Sequence, residues 1–126
     1  MYQSEIKEHN IMIKLLKNDT TAFHIQMDAE GINETLQYIK NVNEEGKDCL
    51  QIIYRGSENK LQIEIDINTD EIRISGDVVT IYMDYEELEY FEHRLKAALD
   101  SGCFYPAEIC ERRYKNRYAT LYCDIV

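Results

Sequence analysis

Tryptophan is absent from this 126-residue chain, proline occurs once and glycine five times. So little proline and glycine excludes a linker-rich or collagen-like chain. Without tryptophan, and with ten tyrosines spread along the sequence, the aromatic cleft of a glycosidase is not expected. Long apolar runs are missing as well. The longest hold about half a dozen residues, far below the ~20 of a membrane helix. The amino terminus, MYQSEIKEHN, has no basic start followed by an apolar run. A signal peptide is therefore not expected, and the expected compartment is the cytoplasm.

Motifs of chemistry are equally scarce. None of Cys49, Cys103, Cys110 and Cys123 forms a C-x-x-C pair, so neither a redox pair nor a zinc ribbon is suggested. Reduced, buried, small apolar side chains are expected of them. His9, His24 and His93 fall in separate elements, without H-x3-H or H-E-x-x-H spacing. Asp66-x-Asn68-x-Asp70 looks like the opening of a calcium loop. That loop needs glycine at its sixth position and glutamate at its twelfth, where Glu71 and Asp77 stand. There is no G-x-S-x-G elbow and no glycine-rich phosphate loop. We expect no catalytic residue, no metal site, no cofactor and no enzyme.

What is present is charge and alternation. Twenty-four acidic residues against fourteen basic ones give a net charge of −10. Such a chain is repelled by nucleic acid and anionic lipid and attracted to cationic partners. At this length, one core burying roughly 60–70% of the unfolded chain's surface is expected, so residues 1–126 are read as one domain.

Residues 11–16 and 23–27 alternate and read as a hairpin turning at Asn18-Asp19. Ile32, Leu36 and Ile39 fit one face of a helix, capped by Asp28 or Asn33 and stopped at Gly46. Leu50, Ile52 and Tyr54 open the next strand. Leu61, Ile63, Ile65 and Ile67 point to one side, Gln62, Glu64 and Asp66 to the other. Ile72 and Ile74, then Val79, Ile81 and Met83, continue as a three-strand meander. Asp84 caps a second helix with the stripe Leu88, Phe91, Leu95, Ala98 and Leu99, ended by Gly102. Glu86 and Glu87 in its first turn suit the helix dipole. Pro106 through Ile109 suggests a short helix, Arg112 through Tyr118 is ambiguous, and Leu121, Cys123 and Ile125 form a closing strand. No internal repeat is visible. The expected fold is α+β, a single mostly antiparallel sheet of five to seven strands with two helices on one face.

Two surface features compete for function. From Glu64 to Glu92 the chain carries ten acidic residues and one basic residue, Arg73. Alternation turns Glu64 and Asp66 to solvent, and helical geometry turns Glu86, Glu89, Tyr90 and His93 there. A tyrosine among carboxylates suits an interface in which the aromatic anchors and the charges speed encounter. The plain alternative is a solvated helix face. Against the acidic trend, Arg112, Arg113, Lys115 and Arg117 interleave with Tyr114 and Tyr118, a pattern that can bind single-stranded nucleic acid. The plain alternative there is pairing with the protein's own carboxylates.

In size, acidity and α+β layout, the whole chain resembles the immunity proteins of bacterial toxin–immunity systems. It carries no motif of them, so no site residues are transferred. The resemblance implies an antitoxin that neutralises a cognate, cationic toxin domain, often a nuclease, by stoichiometric binding. The rival expectations are a homo-oligomeric adaptor domain and a small nucleic-acid-associated protein using Arg112–Tyr118.

Overall fold

The computed structural model describes residues 12–17, 22–45, 49–101, 107–115 and 117–125. They form β1 (Ile13–Lys17), β2 (Ala22–Met27), α1 (Ala29–Glu45), β3 (Leu50–Tyr54), β4 (Ser57–Ile65), β5 (Ile72–Ser75), β6 (Val78–Met83), α2 (Tyr85–Ser101), β7 (Ala107–Tyr114) and β8 (Arg117–Ile125). All eight strands join one sheet in the order β5-β6-β4-β3-β1-β2-β8-β7. Four of its neighbouring pairs are antiparallel and three parallel. An isolated parallel bridge, Glu71↔Arg113, ties the two edge strands together, so the sheet is nearly a barrel. The fold is α+β with two helices, and the sheet has eight strands, not five to seven.

The chain order β-β-α-β-β occurs twice. The halves match at constant offsets: Ile25 with Ile81, Met27 with Met83, Asp28 with Asp84, Ile32 with Leu88, Ile39 with Leu95, Tyr54 with Tyr114, Leu61 with Leu121. The sheet respects the match. Leu61 pairs with Val79 in the parallel β4–β6 seam, and Leu121 pairs with Phe23 in the parallel β2–β8 seam. Exchanging the halves preserves every strand direction, which places a pseudo-two-fold axis along the strands. Identical residues are few, so the repeat escaped the linear reading.

Local signals repeat too. The Asp28 carboxylate accepts the Gly31 N–H at 2.7 Å, and the Asp84 carboxylate accepts the Glu87 N–H at 2.8 Å. Both are N-caps. Glu87 also accepts the Asp84 N–H at 3.0 Å, completing a capping box. Arg55 and Lys115 hold positive φ, at 55° and 50°, at matching positions of the two-residue β3–β4 and β7–β8 turns. These are the left-handed geometries that such hairpins need.

Alternation buries one face of β1, β2, β3 and β6 and the second half of β4. Phe23, Ile25, Met27, Leu61, Ile63, Val79, Ile81, Met83 and Leu121 meet Ile32, Ile39, Leu88, Phe91 and Leu95 of the helices in one cluster. Burying such side chains stabilises by ~1.5–3 kcal/mol each before ordering costs. The buried Tyr38 of α1 accepts the Ile63 N–H at 2.8 Å, tying helix to sheet.

Three further expectations are corrected. Residues 61–83 are not a meander: β5 lies outside β6, which pairs parallel with β4. Apolar alternation fixes which face is buried but not which strand lies beside which. Ala107–Ile109 belongs to β7 rather than to a helix, and Arg112–Tyr118 spans β7, its turn and β8. An irregularity between Glu108 and Cys110 buries Ile109 and Cys110 in succession, and buried Arg112 takes an inward position, so the period-two signal is erased. Cys49 is exposed, whereas Cys110 and Cys123 are buried, with thiols pushed up to about 12 by that burial. His9, Cys103, Pro106 and the expected stops at Asn18-Asp19, Gly46 and Gly102 lie outside the described residues. Among the described residues, no helix is long and apolar enough to cross a membrane.

Candidate functional site

The acidic band divides between two surfaces. Glu64 is partly exposed on β4 beside the buried Leu61 and Ile63, so it lies on the outer face of the sheet. Glu86, Glu89, Tyr90 and His93 are exposed on α2, opposite the buried Leu88, Phe91 and Leu95. The inner face of the sheet and the inner stripe of α2 share one core, so their outer faces look away from each other. Glu64 therefore does not join Glu86 and Glu89 in one plate.

Asp66 has a local role. Its carboxylate accepts the Asn68 N–H at 2.9 Å and the Thr69 hydroxyl at 2.8 Å, and these bonds hold it below the usual carboxylate value. It is the staple of the β4–β5 turn. Its own N–H donates to the Met83 carbonyl at 2.9 Å, which sets this turn beside the start of α2.

That corner contains two residues the sequence reading misplaced or passed over. Ile67, expected on the inner face, follows the end of β4 and is 81% exposed. Tyr85 opens α2 and is 66% exposed, and Tyr90, one turn further, is 43% exposed. Asp66 precedes Ile67 in its turn, and Glu86 and Glu89 share the exposed face of α2 with Tyr85 and Tyr90. The signal for Tyr85 lay in its position directly after the capping aspartate, where a first-turn side chain has no core to enter. On α1, the exposed Glu30, Asn33, Glu34 and Gln37 occupy the positions of Glu86, Glu89, Tyr90 and His93. The corresponding face of the first half is thus polar without an aromatic.

The rival basic segment is largely committed to the fold. Arg112 is buried, donates to the Tyr82 carbonyl at 2.6 Å and forms an ion pair with Glu87. Arg113 pairs with Asp70 at 3.0 Å and with Glu71 at 3.2 Å, and Tyr118 donates to Asp70 at 3.3 Å. Tyr114 packs edge-on against Phe23, with centroids 5.2 Å apart. Lys115 and Arg117 stay exposed at the hairpin.

Folding also assembles a pair hidden in the sequence. His24 Nδ1 lies 3.1 Å from the Asp124 carboxylate, and its ring stacks on Tyr122 at 4.8 Å. Register explains it: β2 and β8 run parallel with His24 beside Tyr122 and Gln26 beside Asp124. Among the described residues, no group of three or more His, Cys, Asp or Glu side chains is placed to hold a metal ion. No protein-family model matches the chain, nor does any curated protein or solved structure.

Proposed function

We propose that this chain is an immunity-type protein that neutralises a cationic toxin domain by stoichiometric binding at the α2 corner. The observation that carries the reading is that three of the five exposed large apolar side chains among the described residues, Ile67, Tyr85 and Tyr90, stand on the β4–β5 turn and the outer face of α2, the elements that also carry Asp66, Glu86 and Glu89. Aromatic side chains at the centre of an interface anchor it, and rim charges steer encounter. A net charge of −10 adds long-range attraction for a basic partner. Glu64, on the outer face of the sheet, contributes to that field and not to the contact.

The experiment is co-expression with each protein encoded immediately beside this chain's gene, followed by affinity capture and binding kinetics. A one-to-one complex is expected, with association slowing as salt rises. Tyr85→Ala should weaken it about tenfold or more through faster dissociation, as for a central anchor. Glu86→Lys with Glu89→Lys should slow association while leaving stability within ~0.5 kcal/mol, as for surface changes. Capture that ignores all three substitutions removes the corner from the interface.

A further inference from the structure

The second half departs from the first at one seam. In the first half, β1 and β3 pair through Lys14↔Ile53 and Leu15↔Tyr54. The matching β5–β7 seam is held at a single point, Glu71↔Arg113, where the Arg113 N–H donates to the Asp70 carbonyl at 2.7 Å. Beyond that point the strands part. Between Ile72–Ser75 and Arg113–Lys115 they leave an open cleft of about 440 Å³. That volume lies in the ~300–1,000 Å³ range of ligand sites.

The wall formed by β5 is a strand edge. The Tyr82 N–H bonds to the Glu71 carbonyl, so Glu71, Arg73 and Ser75 make the bonded pairs with β6. In an antiparallel ladder the residues between point their backbone the other way. The Ile72 carbonyl and both backbone groups of Ile74 therefore face the cleft, with no strand beside them among the described residues. Free edges of this kind accept an added strand.

Charge then selects what is added. The cleft is lined by Arg73, Arg113 and Lys115 against Glu71, with Arg113 also paired to Asp70 at the closed end, in a chain with net charge −10. The two arginines share Glu71, at 2.7 Å and 3.2 Å. Lys115 makes no ion pair among the described residues, and Lys17 reaches the same Tyr114 ring from 5.6 Å. The geometry points to this cleft as a second binding site, one that takes a short extended peptide segment bearing carboxylates, added as a strand along β5. Its backbone bonds to the Ile72 carbonyl and to Ile74, and its acidic side chains meet Lys115 and Arg73. The β5–β6 turn beside the cleft lies at the opposite end of β6 from the start of α2. The cleft shares no lining residue with the α2 corner, so this inference stands without the toxin-binding reading.

The test uses the full chain and a fluorescent hexapeptide alternating glutamate and valine, at low salt. Anisotropy should report binding, and exchange of the Ile74 amide should slow about tenfold or more in the complex. Methylating alternate peptide nitrogens should weaken binding about tenfold, since it removes backbone donors. Lys115→Glu, which breaks no ion pair, should weaken it at least as much and leave capture through the α2 corner unchanged. Absence of binding overturns the site, as does binding without protection at Ile74 or binding indifferent to Lys115→Glu. Displacement of the peptide by inorganic phosphate, with Ile74 unprotected throughout, would make this a small-anion site and overturn the peptide assignment.

Discussion

In the first half of the molecule, Gly31 sits in the first turn of α1 and Ile52 points inward from β3; in the second half, the matching positions are Glu87 and Arg112. The first half closes its helix–strand joint by contact. A Cβ on Gly31 would lie 2.4 Å from the Met12 carbonyl oxygen and 2.9 Å from Met27 Cβ. The second half fills the same joint with a buried arginine, whose guanidinium bonds to Glu87 and to the carbonyls of Tyr82 and Glu111. One backbone arrangement thus admits a close-packed joint or a charged one.

The comparison breaks most sharply if one member of the charged joint is removed. Arg112→Ala should cost ~3 kcal/mol, the lower end of the ~3–5 for breaking a buried pair, because the part-buried Glu87 keeps only the Asp84 N–H and the Tyr82 carbonyl loses the guanidinium. Arg112→Met with Glu87→Gln should return most of that loss, since apolar replacements of buried pairs are often neutral. Urea unfolding midpoints read both. If the double variant is as damaged as the single, the two joints are not equivalent solutions.

Next in size, Gly31→Ala forces a methyl group against backbone and should cost ~1–3 kcal/mol, the range for overpacking. The same unfolding assay checks it, and an unchanged midpoint would mean that α1 can shift away from Met12. The caps come third. Asp28→Ala and Asp84→Ala should each cost ~1 kcal/mol. Asp84→Ala should be the milder, because the backbone N–H of residue 84 still donates to Glu87 and keeps half of the box. Thermal melting of the two variants side by side orders them.

The smallest effect concerns the single bridge between the edge strands. The hydrogen bond from Arg113 Nε holds the Asp70 carboxyl below the ordinary value of 3.8. A depressed folded-state value means that the contribution is present above the unfolded value and fades as pH falls through the folded one. Carbon NMR of Asp70 should show its titration displaced to lower pH, and Arg113→Gln should restore the ordinary value. A normal titration in the parent chain would show the bridge to be open in solution.

These contrasts explain what could be read from the chain beforehand. Both helices, the Asp84 cap and the strands with strict alternation were legible, because core-facing periodicity and capping are local. Strand order was not, because Ile72 and Ile74 announce a buried face without naming a neighbour. β7 was masked by an irregularity and by an arginine in an apolar slot. The acidic residues of α2 were found at their exposed places, whereas the corner with Ile67 and Tyr85 depends on Asp66 meeting Met83, a contact between segments that the linear pattern does not encode.

The link between the halves runs through the Asp66 turn, and Ile67 within it is 81% exposed. Across the β4–β6 and β2–β8 seams the halves touch as two subunits would. The protein is in effect a tethered dimer whose linker supplies a high effective concentration. Nicked at Ile67, the fragments would face a bimolecular search for partners that the intact chain never undertakes.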